Sequence, residues 1–417
     1  MELQDRRSEV RAGSTSSDED NPETADVADV AWRQKIDERL YEEKADAIRE
    51  ACKWRDVSRL RSLAETADGF LSDELRRLAW PVLMGLSSES HECSTGSNGG
   101  DDTDGDCSWE KLPQHRDEEQ VQLDVDRSFV YYPTDKSEAN MSKRKSDLSS
   151  LILEVLRRYP YLCYFQGYHD ICQVFVLVLQ PSSRASMVAR LSVLRIRDFM
   201  LPSLEPTTAQ LRLLPDLLAR ADPKLRQHIA TIEPFYALAG TLTMYAHNIQ
   251  AYRDIARLFD VFLAREPVFT IYVFAQIVIN RRDEVLDINE PDMLQVVLSR
   301  VPPGMDLDTL ITDAVHLFDC YPPHSLPHWR HISEYSSLKT ARDIDTCANQ
   351  SLDDGREYFE KQAKQLRWAE LRHIVSAKLW RYRRPIRMLG AAAAVAVVAF
   401  YLRRNPSAVR YLLSFFR

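Results

Sequence analysis

Amphipathic segments with the 3.6-residue period of an α-helix fill most of this chain between about residues 36 and 318. The first segment places its apolar side chains on one face, at Ile36, Leu40, Ala47, Ile48 and Ala51. Prolines interrupt the later segments at Pro202, Pro215, Pro223, Pro234, Pro267 and the pair Pro302–Pro303. Glycine, which turn-rich β architectures need, supplies only 12 of 417 residues. The pattern predicts an all-α fold.

Charge and cysteine usage narrow the class of protein. The net charge is −8, which argues against a nucleic-acid partner because phosphate binding needs clustered positive charge. The seven cysteines are scattered and form no CxxC pair, which favours reduced thiols in the cytosol over a disulfide framework. The first residues contain no apolar stretch of the kind found in a secretory signal, so we expect none.

Composition divides the chain into four parts. Residues 1–34 are acidic and rich in serine, and we expect disorder because they bury too little apolar surface to offset ordering entropy. The folded domain is expected over 35–320, interrupted at 86–120 by a Ser/Gly/Asp stretch that predicts an acidic, disordered surface insertion. Residues 321–385 are predicted to be a charged helical linker, and 386–417 a C-terminal membrane anchor.

The anchor prediction depends on the apolar run from Met388 to Leu402. As a helix its 15 residues span roughly 22 Å, at about 1.5 Å per residue, against about 27 Å for the core of the endoplasmic reticulum (ER) bilayer. Arginines flank the run at positions 383, 384, 387, 403 and 404 and can snorkel to lengthen it. We therefore expect an anchor in the thin ER membrane. The alternative is a buried Ala/Val helix of the folded domain.

Two pairs of residues carry candidate chemistry. Asp124 and Arg127 stand one helical turn apart, so the carboxylate can hold the guanidinium in a fixed direction. Phosphoryl transfer needs such a preorganised cation to meet the charge on the transferring oxygens. Gln166 precedes Gly167, where the backbone can turn tightly, and an amide can donate to and accept from one water at once.

Plainer interpretations of these residues stay open on spacing alone. An Asp–Arg pair three residues apart is usually a solvated ion pair, and glutamine before glycine is common in loops. Cys163, His169 and Cys172 fit no common zinc spacing and lack a fourth ligand. Neither a P-loop nor a G-x-G-x-x-G motif occurs, so we do not expect the chain itself to bind a nucleotide.

Taken together, three stretches resemble the TBC (Tre-2/Bub2/Cdc16) family of Rab GTPase-activating proteins. The R-x-x-x-W-P-x-L-x-G pattern is matched by Arg76, Trp80, Pro81, Leu83 and Gly85. The I-x-x-D-x-x-R pattern is matched by Asp124 and Arg127 with Val121 for Ile, and Y-x-Q-G by Tyr164, Gln166 and Gly167. The stretch from Arg257 to Ala264 is similar to a later family element. The resemblance covers roughly residues 60 to 320, and the acidic insertion and the absence of tryptophan in the later helices depart from the pattern.

The resemblance implies a two-lobed helical domain with its catalytic loops between the lobes. Arg127 would be an arginine finger directed at the nucleotide of a bound Rab, and Gln166 a second finger that orients the attacking water. Asp124, Tyr164 and Gly167 would shape the loops that present both. By the same resemblance, Arg76, Trp80 and Pro81 are expected to pack rather than to react.

The same resemblance implies the partners. GTP and Mg²⁺ would arrive with the Rab, so the chain is expected to need no cofactor of its own and to act as a catalytic activator. Rabs work on cytosolic membrane faces, which places the domain on that side. Because the short apolar run suits the thin ER bilayer, we expect the chain at the ER and in ER-to-Golgi traffic. The rival interpretation is a membrane-tethered helical scaffold that binds a Rab without stimulating hydrolysis. A pure binder has no need of both Arg127 and Gln166.

Overall fold

The computed structural model describes residues 22–86, 108–133 and 137–405, with the backbone alone over 22–37 and 377–390. Every regular element within these ranges is helical, which confirms the all-α prediction. The beginning of the chain, most of the predicted insertion and the last twelve residues lie outside the described part, together with what was expected of them. The two-lobed arrangement stays a prediction.

We name the α-helices in chain order. The first nine are α1 Pro22–Trp54, α2 Val57–Glu65, α3 Asp73–Leu83, α4 Glu118–Asp126, α5 Glu138–Arg158, α6 Tyr168–Val178, α7 Pro181–Arg190, α8 Glu205–Leu211 and α9 Leu213–Ala221. The others are α10 Pro223–His228, α11 Leu238–Leu242, α12 Tyr252–Ala264, α13 Phe269–Asn280, α14 Arg282–Leu286, α15 Pro291–Leu298, α16 Leu307–Cys320, α17 Ser337–Thr340, α18 Ile344–Asn349 and α19 Leu352–Arg404. A π-helical turn at Leu191–Arg195 and several short 3₁₀ turns lie between them.

A buried carboxylate on α12 anchors the first motif. Asp260 is fully buried and accepts hydrogen bonds from Arg76 Nη2 at 2.9 Å and from Trp80 Nε1 at 2.9 Å. The backbone N–H of Phe70 donates to the same carboxylate at 3.0 Å. Arg76 and Trp80 thus pack inside the domain, as expected. Losing the carboxylate would leave the buried N–H groups of Trp80 and Phe70 without an acceptor, whereas Arg76 would keep its contact with Asp73 at 3.0 Å.

Helix α6 connects the candidate site to this core. Nine of its eleven residues are buried, and it packs against α3, α4, α5, α7 and α12. Its first residue, Tyr168, is fully buried and donates to or accepts from the Ser192 hydroxyl at 2.6 Å. The loop that ends at Gly167 is therefore attached to a rigid element.

Two predicted boundaries differ from the structure. Helix α1 begins at Pro22, twelve residues before the expected end of the disordered N-terminus at residue 34. Proline suits the first position of a helix, and Glu23 in the same turn favours the positive end of the helix dipole. An acidic composition therefore concealed a helix start.

The predicted insertion at 86–120 extends too far. The guanidinium of Arg157 lies over the Trp109 ring, 5.4 Å from the centre of that ring. The same guanidinium donates to both carboxylate oxygens of Glu118, at 2.7 and 2.9 Å. These contacts hold the chain from Ser108 onward. Composition alone could not show this, because the partner arginine stands about 40 residues further along the chain.

The expected C-terminal membrane anchor at 386–417 is not supported. Within the described residues, no helix has both the length and the apolar character needed to cross a membrane. Arginines confine the apolar run of α19 to 15 residues, which is the physical reason. The alternative of a buried core helix is also wrong, since residues 391–400 are exposed. The expected ER location and role in ER-to-Golgi traffic stay predictions.

The revised end of the predicted insertion suggests two matched loop replacements. Exchanging residues 87–107 for a short Gly/Ser linker should change the melting temperature little, because loop-closure entropy varies slowly with length. Extending the replacement through residue 116 should lower the melting temperature by several degrees, since it removes Trp109 from Arg157. Thermal unfolding of both variants checks this. Equal melting temperatures would show that residues 108–116 add nothing to the fold.

Candidate functional site

The Asp124 carboxylate lies at the centre of the candidate site. It is fully buried at the end of α4. Arg127 Nη2 donates to it at 2.5 Å, Gln120 Nε2 at 3.1 Å and the Tyr164 hydroxyl at 2.8 Å. Both carboxylate oxygens are thus occupied, and the three donors come from two separate parts of the chain. The contact between Asp124 and Arg127 that their spacing suggested is present.

Arg127 is held at one end and open to solvent at the other. It is the C-terminal capping residue of α4, and its backbone N–H donates to the Asp124 carbonyl at 3.3 Å. Its side chain is 55% exposed, whereas the carboxylate that holds it is not exposed at all. An arginine fixed in this way presents its remaining N–H donors to a partner without first having to be ordered.

Gln166 lies on a turn that only glycine can complete. Gly167 has a φ of +101°, a region that side chains other than glycine rarely adopt. A Cβ atom there would come within 2.6 Å of the Thr243 side chain, so the two loops are in close contact. Gly167 is the N-terminal capping residue of α6, and the Gln166 side chain before it is exposed.

Tyr164 joins the two candidate catalytic residues. Its hydroxyl donates to the carboxylate that holds Arg127, and it stands two residues before Gln166. Its backbone N–H donates to Asp117 at 2.9 Å, which fixes the same loop a second time. Burial and the hydrogen bond to Asp124 raise the pKa of Tyr164 far above its ordinary value, so the phenol stays a neutral donor.

A line of alternating histidines and carboxylates continues from this centre. His169 lies between Asp124, at 3.5 Å, and Asp170, at 3.3 Å. Burial lowers its pKa below the ordinary value. Asp170 also pairs with Nδ1 of the exposed His247 at 2.9 Å, and that hydrogen bond raises the pKa of His247. The line therefore runs from Arg127 to the surface.

The sequence analysis missed His247 and Thr243. Both lie in the segment after α11, about 80 residues beyond the Y-x-Q-G motif, and no local pattern marks them.

Cys163, His169 and Cys172 do not have the arrangement of a metal site. Arg116 Nη2 donates to the Cys163 thiol at 2.9 Å, and burial raises the pKa of the Cys172 thiol. No group of metal-ligand side chains occurs in the ranges that the structure describes.

Known proteins resemble this chain over the same region. A family model described as the Rab-GTPase-TBC domain matches residues 73–286, which is 214 of 417 residues. GTPase-activating protein gyp10 of Schizosaccharomyces pombe is 32% identical over 296 residues, covering 69% of this chain and 76% of the relative. Human TBC1 domain family member 20 is 33% identical over 306 residues, covering 72% and 73%. The chain belongs to the Rab-GTPase-TBC family.

Membership of the Rab-GTPase-TBC family confirms the resemblance found in the motifs. The matched span contains both loops of the candidate site and the Asp260 anchor beneath them. It ends at residue 286, so α15 to α19 lie outside it. The site geometry described above therefore lies within the part that this chain shares with the Rab-GTPase-TBC family.

The two histidines should titrate in opposite directions from the ordinary histidine pKa of about 6.5. NMR of the histidine-labelled chain should place His247 above that value and His169 below it, because one pairs with Asp170 at the surface and the other is buried. Asp170→Asn should lower the His247 pKa, since it removes the main cause of the rise. An unchanged His247 pKa in that variant would contradict the described pairing.

Proposed function

We propose that this chain stimulates hydrolysis of GTP bound to a Rab, with Arg127 and Gln166 as the groups it adds to the reaction. One observation carries the proposal: a fully buried carboxylate holds an exposed guanidinium, and Tyr164 ties the loop of an exposed glutamine to the same carboxylate. The Rab-GTPase-TBC family and a relative named as a GTPase-activating protein supply the partner class. The chain is then a catalytic activator whose nucleotide belongs to its partner.

Arg127 would supply charge stabilisation. Negative charge spreads over the oxygens of the transferring phosphoryl group, and a cation that needs no reorganisation stabilises that charge most. Asp124 contributes by fixing the direction of the guanidinium before the partner arrives. Because the carboxylate is itself saturated with hydrogen bonds, it can hold the arginine without moving.

Gln166 would position water. Its amide oxygen can accept a hydrogen bond from the attacking water while its NH₂ group donates to a neighbouring oxygen, which orients the lone pair of the water for attack. The Gly167 turn and the buried start of α6 keep this amide on a rigid support. GTP and Mg²⁺ enter the site on the Rab, and the chain contributes neither.

Arg127→Ala tests the proposal in single-turnover GTP hydrolysis across a panel of Rabs. An arginine finger contributes about 10³- to 10⁵-fold in rate, so stimulation by this variant should disappear. Arg127→Lys should fail nearly as badly, because an ammonium lacks the planar fork of donors.

Arg49→Ala is the matched control, since Arg49 is 57% exposed and also pairs with an aspartate three residues earlier, Asp46, but on the surface of α1. It should keep most of the activity and the wild-type melting temperature. Arg127→Ala removes the cation that pairs with the buried Asp124 and should melt somewhat lower, so a cooperative transition above the assay temperature is the test that it is folded. Retention of most stimulation by Arg127→Ala would show that Arg127 is structural. A wild-type chain that binds a Rab but never stimulates it would instead support the scaffold interpretation.

A further inference from the structure

A groove of about 500 Å³ opens beside the loop that carries Arg127. We call it the side groove, and its walls include Tyr131, His247, Gln250, Arg281, Arg300 and Pro302. It meets the network around Asp124 at His247, and neither the family motifs nor the proposed mechanism uses it. Part of its wall lies beyond residue 286, where the family match ends.

Each catalytic loop leads directly to a wall of the side groove. Tyr131 stands four residues after Arg127 in the same connection and is exposed. His247 is bound by Asp170, in the first turn of the helix that begins after Gln166. The charge of Arg127 is near enough to lower the pKa of His247 in part. A protein seated on both catalytic residues therefore faces the side groove.

The side groove carries more positive than negative charge. Arg281 is neutralised by Glu284, at 2.8 and 2.9 Å, and also donates to the carbonyls of Val297 and Arg300 at 2.8 Å. This arginine therefore fixes the end of α15, where Arg300 follows. The exposed Arg300 guanidinium has no carboxylate partner within the described ranges. His247, which is 63% exposed, adds a partial positive charge that the Asp170 carboxylate balances in part, so Arg300 is the main unbalanced cation.

The side groove also offers apolar surface. Val130 and Tyr131 are both about half exposed at its edge, which gives an apolar patch beside the cations. An acidic segment docked on this patch would bring its carboxylates to the cations.

We propose that the side groove receives an acidic surface segment of the GTP-bound Rab, with Arg300 and His247 as the contacting cations. This proposal rests on the proposed function, which supplies the partner. The cations lie to the side of the reacting groups and not among them. Charges at the rim of an interface act on association and salt dependence more than on the bound state. The side groove therefore contributes to KM and not to kcat.

Charge reversal tests the proposal on a Rab that the wild-type chain turns over. Arg300→Glu should raise KM roughly 5- to 10-fold at about 0.1 M salt and leave kcat within about twofold. The rise should shrink at about 0.5 M salt, where exposed charges are screened. His247→Gln should give a smaller rise in KM, because it removes only a partial charge.

Arg59→Glu is the control, an identical charge change on the exposed face of α2 and outside the side groove. It should match the wild-type KM at both salt concentrations, and melting temperatures should show that all variants fold. An Arg300→Glu chain that behaves like Arg59→Glu overturns the side-groove proposal while the proposed function stands. A fall in kcat at unchanged KM also overturns it. A wild-type chain that stimulates no Rab overturns both.

Discussion

Burying a carboxylate costs free energy unless its oxygens accept hydrogen bonds, and Asp124 meets that condition with donors from two distant segments. Arg127 and Gln120 come from its own helix, while Tyr164 comes from the loop that carries Gln166. The requirement to satisfy one buried charge therefore sets the positions of both proposed catalytic residues together. Neither loop can shift without leaving part of this charge unpaired.

The core contains a second buried carboxylate with the same role. Asp260 is also fully buried, and it gathers Arg76, Trp80 and the Phe70 backbone around a single carboxylate. That cluster ties α3 to α12, and both helices pack against α6, which supports the loop of Gln166. Two buried carboxylates, one in the core and one at the candidate site, thus connect the stability of the domain to the placement of Arg127 and Gln166.

Local sequence patterns correctly predicted the features that contacts between nearby residues determine. The helical period predicted the all-α fold, and three-residue spacing predicted that Asp124 would hold Arg127. The pairing of Arg157 with Trp109 and Glu118 could not be predicted in this way, because it joins segments about 40 residues apart. The same is true of His247, whose partner stands 77 residues earlier. The anchor prediction was not supported for a different reason. It assumed that the flanking arginines would lengthen an apolar run that is itself too short to cross a membrane.

The central claim is that this chain supplies both the stabilising cation and the group that orients water. A Rab whose own glutamine has been replaced by leucine tests this most directly, in single-turnover hydrolysis of its bound GTP. The account predicts that the wild-type chain still stimulates this Rab measurably, and that Gln166→Ala removes the stimulation while the melting temperature stays unchanged. A Rab of this kind that ignores the wild-type chain, yet responds when its glutamine is restored, would show that Gln166 does not replace it.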